Sequence, residues 1–326
     1  MEPPAVPPAE QCPFFIVGSG RSGTTLLQLL LCGHSRLHIP PETWFLQPLV
    51  ARFPLTGALS PEDAAAATET IVSGYRWPDM EIATEEFRAA AAALPSPGLA
   101  DLVRLVYRFH LTRAGKPRFG DKTPPYIDIV PQLAELFPGA RFIHLIRDGR
   151  DVAISFADAH WGYAYQGGRF EWTHAIRRGL SYRDTPYASQ LLEVRYEDMV
   201  GDVAGTLRRI CDFLGEAFEP EMLEWRERIT QVPERQRYHH GKLARPISSD
   251  AIAVWRRKLS AAECFLLEAS LRRDLDRLGY GRRFAGPLWG PTLDGAGVAL
   301  RAMAPLLDRA LPFLLRRRLL PRVVYL

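Results

Sequence analysis

The stretch Phe14–Leu31, FFIVGSGRSGTTLLQLLL, joins a short apolar run to a glycine-rich loop and then to a leucine-rich run. The first run, Phe14–Val17, has the length and composition of a strand that is buried on both faces. The leucine-rich run continues to Cys32 and is apolar nearly all round, which indicates a helix buried against that strand. A loop between a strand and a helix is the setting in which such glycines have a functional meaning.

The loop Gly18–Thr25 contains the residue types that suit a phosphate or a sulfate. Its glycines let the backbone turn tightly, so that several N–H groups point into one concavity. The helix that follows adds its own free N–H groups and the positive end of its dipole. A glycine-rich turn can serve merely to connect two elements, but this one also carries Arg21 and four hydroxyl residues. We therefore expect an anion site here.

The loop matches only part of the nucleoside triphosphate pattern G-x-x-x-x-G-K-[ST]. Gly18, Gly23 and Thr25 fit the pattern, whereas Thr24 stands where the lysine is required. The nearest cation in the sequence is Arg21, inside the loop. A kinase-like phosphotransferase that uses magnesium is therefore the alternative reading, and it lacks the group that reaches the β- and γ-phosphates.

Further apolar runs alternate with helical patterns along the chain. Strands that are separated by helices predict an α/β chain with a parallel sheet, here a P-loop-like three-layer α/β/α domain. We expect a loose leader over 1–12, one domain over 13–285 and an amphipathic basic tail over 286–326. The expected strands after the first are 37–39, 141–146 and 191–196, and the expected helices are two or three over 61–114 and one each over 131–136, 203–214 and 261–277.

Composition limits the class of protein. The 326 residues are 47% hydrophobic with a net charge of +4, which allows a large core and does not indicate a nucleic-acid partner. The four cysteines form no CxxC pair and no zinc-ligand spacing. No signal peptide and no run of about 18 apolar residues is found, so we expect a cytoplasmic protein without a membrane span.

A second functional segment is Ile146–Ser155, IRDGRDVAIS. It starts at the carboxyl end of an expected strand, where open α/β sheets place their ligands. Read alone, the segment is also compatible with a strand-to-helix turn in which Asp148 or Asp151 caps the helix.

Two shorter segments contain single residues that suit catalysis. Glu42 lies among proline and apolar residues, and we expect partial desolvation to raise its pKa and to improve it as a base. Lys122 lies in Gly120–Pro124, which we expect to be a turn because Pro124 ends regular structure. If each residue is considered alone, the ordinary interpretation is that Glu42 is a surface glutamate and Lys122 a solvated lysine in a loop.

In their order along the chain, these segments resemble the sulfotransferases that use 3′-phosphoadenosine 5′-phosphosulfate (PAPS), most closely the tyrosylprotein and heparan branches. The resemblance implies that Glu42 is the general base for an acceptor hydroxyl. It also implies that Arg21 and Lys122 stabilise charge on the bridging oxygen and on the transferring group. The small-molecule branch uses a histidine instead, and neither His144 nor His160 lies in a recognisable motif.

The same resemblance implies a set of donor-binding residues and no metal. The 5′-phosphosulfate would be held by Arg21, Ser22, Gly23, Thr24 and Thr25. The 3′-phosphate would be bound by Arg147 and Ser155, and the rest of the nucleotide would be contacted by Tyr196 and by Arg245 in a late loop.

The acceptor is expected to be a carbohydrate, a tyrosyl side chain or a small molecule that carries a hydroxyl. Residues 50–118 and 160–190 are expected to shape its pocket. The aromatic residues in these stretches can line the pocket or belong to the core, and they are Trp77, Trp161, Tyr163, Tyr165 and Trp172.

The tail contains Leu311–Leu320, LPFLLRRRLL, which mixes apolar and basic residues. Such a segment can lie on an anionic membrane surface, and it can equally pack on the domain with a solvated basic end. A membrane-peripheral binding protein is therefore the non-catalytic alternative, and peripheral membrane contact is compatible with catalysis.

Overall fold

A computed structural model describes residues 12–159, 165–234, 243 and 246–284 of the chain. Five parallel strands form one sheet in the order β2-β3-β1-β4-β5. The glycine-rich loop therefore opens at the middle of the carboxyl edge, because it follows the central strand. The strands are β1 (Phe14–Gly18), β2 (Leu37–His38), β3 (Arg118–Lys122), β4 (Arg141–Ile146) and β5 (Leu191–Arg195).

Helices connect the strands and cover both faces of the sheet. They are α1 (Thr24–Leu31), α2 (Leu46–Arg52), α3 (Pro61–Val72), α4 (Thr84–Ala92), α5 (Leu99–Ala114), α6 (Val130–Leu136), α7 (Gly149–Asp158), α8 (Tyr165–Ser181), α9 (Tyr196–Gly201), α10 (Val203–Leu214), α11 (Trp255–Lys258) and α12 (Ala261–Arg277).

The central strand β1 is apolar at every position before its glycine because helices cover both of its faces. Phe15 and Val17 belong to a core cluster with α2 to α6. Phe14 and Ile16 point to the opposite face and pack with α1, α9 and α10. Alternation of side chains across a strand makes such a pattern necessary in a doubly covered sheet. The three-layer α/β/α architecture that the sequence predicts is confirmed.

A third core cluster joins α7 and α8 to α11 and α12. At its edge, the buried guanidinium of Arg150 donates to the carboxylates of Asp148 and Glu268 and lies 3.8 Å from the ring centre of Trp255. Asp148 also accepts from the backbone N–H of Arg150, so it caps α7, as one reading of the sequence suggested. This network fixes the start of α7 at the carboxyl edge of the sheet.

The expected turn at Gly120–Lys122 is wrong, because these residues belong to strand β3 in the interior of the sheet. The strand contains arginine, aspartate and lysine, which conceal it from a search for apolar runs. Its buried charges have specific partners, as shown by Arg118, which donates to the carbonyls of Cys12 and Leu214. Burial of a charge is tolerated when such partners are present.

Within the stretch 160–190, which is expected to shape the acceptor pocket, residues 165–181 form the long helix α8. One further detail differs from the sequence expectations. Cys12, assigned to the leader, is buried and donates to the carbonyl of Pro138. All four cysteines are buried, and none of them forms a disulfide.

Part of the sequence-based interpretation concerns residues outside the described ranges. This holds for the leader up to residue 11, for Arg245, and for the tail with Leu311–Leu320. Among the helices that the structure describes, none combines the length and the apolar character needed to cross a membrane.

Gly120→Ala should destabilise the protein because the ring of Phe14 covers this glycine. A Cβ at Gly120 would lie closer than 3.0 Å to the Phe14 ring. We expect a loss of about 1–3 kcal/mol in the free energy of unfolding, measured by urea denaturation. Gly201→Ala is the matched control, since a Cβ there meets nothing within 4 Å, and it should stay within about 0.5 kcal/mol of the parent. Equal stability of both variants would contradict the packing described.

Candidate active site

Positive backbone angles curl the loop after β1 into a concavity. Gly18, Arg21 and Gly23 have φ values of 139°, 62° and 97°. Helix α1 starts directly after Gly23 without a side-chain cap, and its first backbone bond is donated by Leu27 to the carbonyl of Gly23. The N–H groups at the start of α1 are therefore available to an anion.

Tyr196 explains why position 23 is a glycine and brings a second segment to the loop. A Cβ at Gly23 would lie closer than 3.0 Å to the Tyr196 ring. The same ring lies 4.4 Å from the guanidinium of Arg147, a cation–π distance. Tyr196 starts α9, directly after β5, so the carboxyl ends of three neighbouring strands meet at this point.

The two segments that the sequence analysis selected separately are in direct contact. Arg147 donates to the backbone carbonyl of Arg21 at 3.0 Å, and Arg21 donates through Nε to the Ser155 hydroxyl at 3.2 Å. Burial, and then the neighbouring charge of Arg147, lowers the pKa of Arg21. Two like charges held together in a partly buried site favour a bound anion.

Two buried polar atoms in these segments fit such an anion. The Ser22 hydroxyl and the Nε of Arg147 have no hydrogen-bond partner within the described part of the chain. Buried donors are nearly always satisfied in folded proteins, by protein groups or by a ligand. These two atoms lie in the two segments that meet at the loop, so a bound anion there is one source of the acceptors they lack.

A carboxylate–ammonium pair lies at the side of the loop. Lys122, at the end of β3 and only 2% exposed, forms an ion pair with Glu42. The indole of Trp44 donates to the other oxygen of Glu42 at 2.9 Å. The ammonium of Lys122 lies 3.4 Å from the Thr25 hydroxyl. The strand beside β1 thus brings a lysine to the loop, although the loop sequence has a threonine at the lysine position.

A buried hydrogen-bond network holds the segment that carries Glu42. The N–H of Thr43 donates to the Thr123 hydroxyl at 3.1 Å, and the Thr43 hydroxyl donates to Asp121 at 2.7 Å. The Tyr107 hydroxyl donates to the same oxygen of Asp121 at 2.7 Å. Burial raises the pKa of Asp121 to about 6. Residues at the end of β3 and directly after it therefore hold the segment that contains Glu42.

The expected rise in the pKa of Glu42 is wrong. Burial does act to raise the pKa, but the charge of Lys122 and the hydrogen bonds from Lys122 and Trp44 outweigh it, and the pKa is lowered. The sequence shows the apolar and proline neighbours that desolvate Glu42, but it does not show that Lys122 lies next to the carboxylate. Glu42 is consequently held as a carboxylate by its ammonium partner.

The aromatic residues proposed as pocket lining belong to the core where the structure describes them. Trp77 is buried against Phe87, with 5.1 Å between the ring centres. Trp172 is fully buried and donates to the carbonyl of Arg147 at 2.8 Å. Trp161, Tyr163 and the side chain of Tyr165 lie outside the described residues.

The histidine alternative gains no geometric support from His144. This side chain is fully buried in β4 beneath Gly18, and burial lowers its pKa to about 4. His160 lies outside the described residues. Within those residues, no cluster of three or more histidine, cysteine, aspartate or glutamate side chains suited to a metal is present.

One residue at the site escaped the sequence analysis. The backbone N–H of Gly20 donates to Glu171 on α8 at 2.7 Å. Burial, and to a lesser extent the charge of Glu42, raises the pKa of Glu171. No sequence motif marks this glutamate, because its role depends on a contact between distant parts of the chain.

The fold and the loop place the protein in the P-loop-like α/β class. A solved sulfotransferase domain of the Synechococcus PCC 7002 olefin synthase has the same architecture, with a TM-score of 0.62 and 25% identity over 84% of this chain and 98% of that domain. The model of the sulfotransferase family matches residues 13–220, and the chain belongs to this family.

Curated relatives agree with this assignment. The omega-hydroxy-beta-dihydromenaquinone-9 sulfotransferase Stf3 of Mycobacterium tuberculosis is 28% identical over 251 residues, which are 62% of this chain and 62% of that protein. Protein-tyrosine sulfotransferase A of Caenorhabditis elegans is 23% identical over 74% of this chain and 60% of that protein. A protein of Aquifex aeolicus is 26% identical, and the chain spans only 26% of its length.

Removal of the Lys122 charge should reverse the contribution of Glu42 to pH-dependent stability. In the parent, the lowered pKa of Glu42 means that its ionisation adds stability above its ordinary pKa of 4.5, and this stability is lost as the pH falls through the lowered value. In Lys122→Met, burial is opposed only by the hydrogen bond from Trp44 and the charge of Arg76, so the pKa of Glu42 should rise and stability should fall as the pH rises above 4.5.

The measurement is the free energy of unfolding of both proteins between about pH 4 and pH 7. Near neutral pH, Lys122→Met should lose about 1–3 kcal/mol, because the buried carboxylate of Glu42 keeps only Trp44 and the more distant Arg76, at 4.0 Å, as partners. Lys258→Met, which breaks a half-exposed ion pair with Asp158, should lose less than about 1 kcal/mol without this trend. Parallel pH curves for the parent and Lys122→Met would contradict the coupling.

Proposed function

We propose that the protein transfers a sulfuryl group from PAPS to the hydroxyl of an acceptor. One observation carries the proposal: in a chain of the sulfotransferase family, the Glu42–Lys122 pair lies beside the anion loop, with the ammonium 3.4 Å from the Thr25 hydroxyl. A base for the acceptor and a cation for the leaving group are thus adjacent to the site where the donor is expected.

Donor binding uses the concavity and the segment after β4. The N–H groups and hydroxyls of Ser22–Thr25 hold the 5′-phosphosulfate, and Arg147 with Ser155 holds the 3′-phosphate. The buried, unpartnered Ser22 hydroxyl and Arg147 Nε support this division. The Tyr196 ring, packed between Gly23 and Arg147, contacts the nucleotide between its two phosphates. Arg245, outside the described residues, remains a predicted contact from a late loop.

The reaction is an in-line displacement at sulfur. The acceptor oxygen forms a bond to sulfur while the bond from sulfur to the bridging oxygen breaks, and the proton of the acceptor goes to Glu42. The product nucleotide, 3′-phosphoadenosine 5′-phosphate (PAP), leaves with the electron pair of the broken bond. Positioning and fixed positive charge supply most of the acceleration in such transfers.

The ion pair gives Lys122 two successive partners. While Glu42 is ionised, its charge is balanced by Lys122. Protonation of Glu42 cancels this charge, and the ammonium then neutralises the charge that develops on the leaving phosphate, together with Arg21. A lowered pKa keeps Glu42 deprotonated before the reaction, at some cost in base strength.

We expect no metal requirement. A sulfuryl group carries less negative charge than a phosphoryl group, so fixed cations and N–H donors suffice to stabilise it. The magnesium-dependent kinase alternative gains nothing from the family match, which covers the loop, the Glu42 segment and the Arg147 segment together.

The acceptor class is a hydroxyl compound. The names of two relatives specify an omega-hydroxy menaquinone derivative and protein tyrosine as the groups that those proteins sulfate. These names support a hydroxyl acceptor for this chain, of tyrosyl, carbohydrate or small-molecule type.

Glu42→Gln should abolish transfer while nucleotide binding survives. The amide keeps the size of the side chain and cannot take the proton, so turnover should fall by at least about 100-fold. The assay is transfer of labelled sulfate from PAPS to a panel of hydroxyl acceptors, with PAP affinity measured in parallel. Glu86→Gln, an exposed helical glutamate on α4, is the control and should retain activity. Parental turnover in Glu42→Gln would refute the assignment of the base.

Arg147→Ala should distinguish the two phosphate subsites. PAP has a 3′-phosphate and adenosine 5′-phosphosulfate lacks it, so PAP should bind about tenfold or more weakly and adenosine 5′-phosphosulfate nearly as before. Arg272→Ala on α12, where the arginine is half exposed, serves as control. Equal losses for both ligands would argue against a 3′-phosphate site at Arg147.

A further inference from the structure

Consecutive residues on α8 contact both nucleotide-binding segments. Glu171 accepts a hydrogen bond from the N–H of Gly20 in the loop at 2.7 Å. Trp172 donates to the carbonyl of Arg147, in the segment after β4, at 2.8 Å. The two segments are distant in sequence, and α8 is a third element that touches each of them through its neighbouring side chains.

Glycines in both segments make these contacts possible. A Cβ at Gly20 would lie closer than 3.0 Å to the carboxylate of Glu171. A Cβ at Gly149 would lie closer than 3.0 Å to the ring of Trp172. Since any other side chain would displace its partner, Gly20 and Gly149 allow α8 to approach the two segments closely.

The helix itself is fixed to the domain along its length. Gly168 packs on Ala153 of α7, and Gly179 packs on the ring of His144 in β4, both so closely that a Cβ would clash. Arg177 forms an ion pair with the buried Asp274 on α12. Because α8 is closely packed on its neighbours, it stays in place and sets the position of the loop that it contacts.

Burial of the Glu171 carboxylate costs solvation free energy, which its hydrogen bond to the loop offsets only in part. Its carboxylate is partly buried and forms no ion pair within the described residues, and burial raises its pKa. A buried carboxylate that bonds to one backbone N–H loses more solvation than a neutral side chain would. Arg21, which follows Gly20 in the loop, has a φ of 62°, which non-glycine residues seldom adopt. The bond to Gly20 fixes the Ser19–Gly20 peptide, one peptide unit before the bond that enters this strained arginine.

We propose that Glu171 and Trp172 form a clamp that holds the Gly18–Thr25 loop and the Arg147 segment at the separation that a doubly phosphorylated nucleotide requires. Within this clamp, Glu171 is a positioning residue for Arg21. The proposal rests on the proposed function, because it assumes that both phosphates of one nucleotide bind at these two segments.

The test compares the affinities of three ligands for the parent, Glu171→Ala and Glu171→Gln. PAP needs both segments, whereas adenosine 3′-phosphate needs only the Arg147 segment. Glu171→Ala should weaken PAP binding about tenfold or more and leave adenosine 3′-phosphate within about twofold, with an intermediate loss for adenosine 5′-phosphate. Glu171→Gln should recover most of the PAP affinity, because its amide oxygen still accepts from Gly20.

Catalysis and stability provide separate readouts. In Glu171→Ala, kcat should fall about tenfold or more, because Arg21 is no longer held in place, while KM for the acceptor stays nearly constant. Glu86→Ala is the matched control for loss of a helical glutamate and should change none of these quantities. Equal loss of all three ligands, or a Gln variant as impaired as the Ala variant, would overturn the proposal.

Gly20→Ala tests the same contact from the side of the loop, which keeps the proposal falsifiable if Glu171→Ala folds poorly. The added Cβ displaces the carboxylate, so PAP binding should weaken while adenosine 3′-phosphate binding is kept. The double variant Gly20→Ala/Glu171→Ala should bind PAP little more weakly than Gly20→Ala alone, since the two changes break the same hydrogen bond. Additive losses of PAP affinity would contradict the clamp. If the parent binds PAP and none of these variants alters it, the clamp alone is refuted. If the parent does not bind PAP, the proposed function is refuted together with the clamp.

Discussion

The guanidinium groups of Arg21 and Arg147 are held together at the carboxyl edge of the sheet, and this concentration of like charge is the constraint on which the site depends. Burial and the charge of Arg147 lower the pKa of Arg21, and the charge of Asp158 acts in the opposite sense, so an additional anion here would be stabilised by both guanidinium groups. The surrounding structure opposes relaxation: Tyr196 lies against Arg147, Ser155 accepts from Arg21, and the Arg147 side chain is tied to the carbonyl of Arg21. Positive charge fixed before the ligand arrives is what a group-transfer site requires.

The Glu42–Lys122 pair lies beside this loop, on the side that we propose for the acceptor. The network around Asp121 and Thr123 fixes the Glu42 segment to the same strand that carries Lys122. Because β3 lies next to β1, the pair reaches the loop without any lysine in the loop itself. The sheet order therefore determines which side chains lie next to the loop.

The sequence predicts the parts of the fold that local patterns determine. The β1–loop–α1 unit and the β4–α7 unit are confirmed, because an apolar run followed by glycine and then by a helical pattern is recognisable without tertiary information. Strand β3 is missed, since its arginine, aspartate and lysine are stabilised by partners distant in sequence. The same reason explains the wrong direction for the pKa of Glu42 and the omission of Glu171. The family is confirmed, whereas the roles of the individual residues remain predictions that rest on their positions.

The proposed function requires that this concavity binds an adenosine nucleotide with phosphates at both the 3′ and the 5′ positions, and that it does so without magnesium. Calorimetric titration of the purified protein in EDTA measures this binding. We expect saturable heat with PAP that added magnesium leaves unchanged, and no comparable signal with ATP. The absence of heat with PAP, together with a magnesium-dependent signal with ATP, would contradict it.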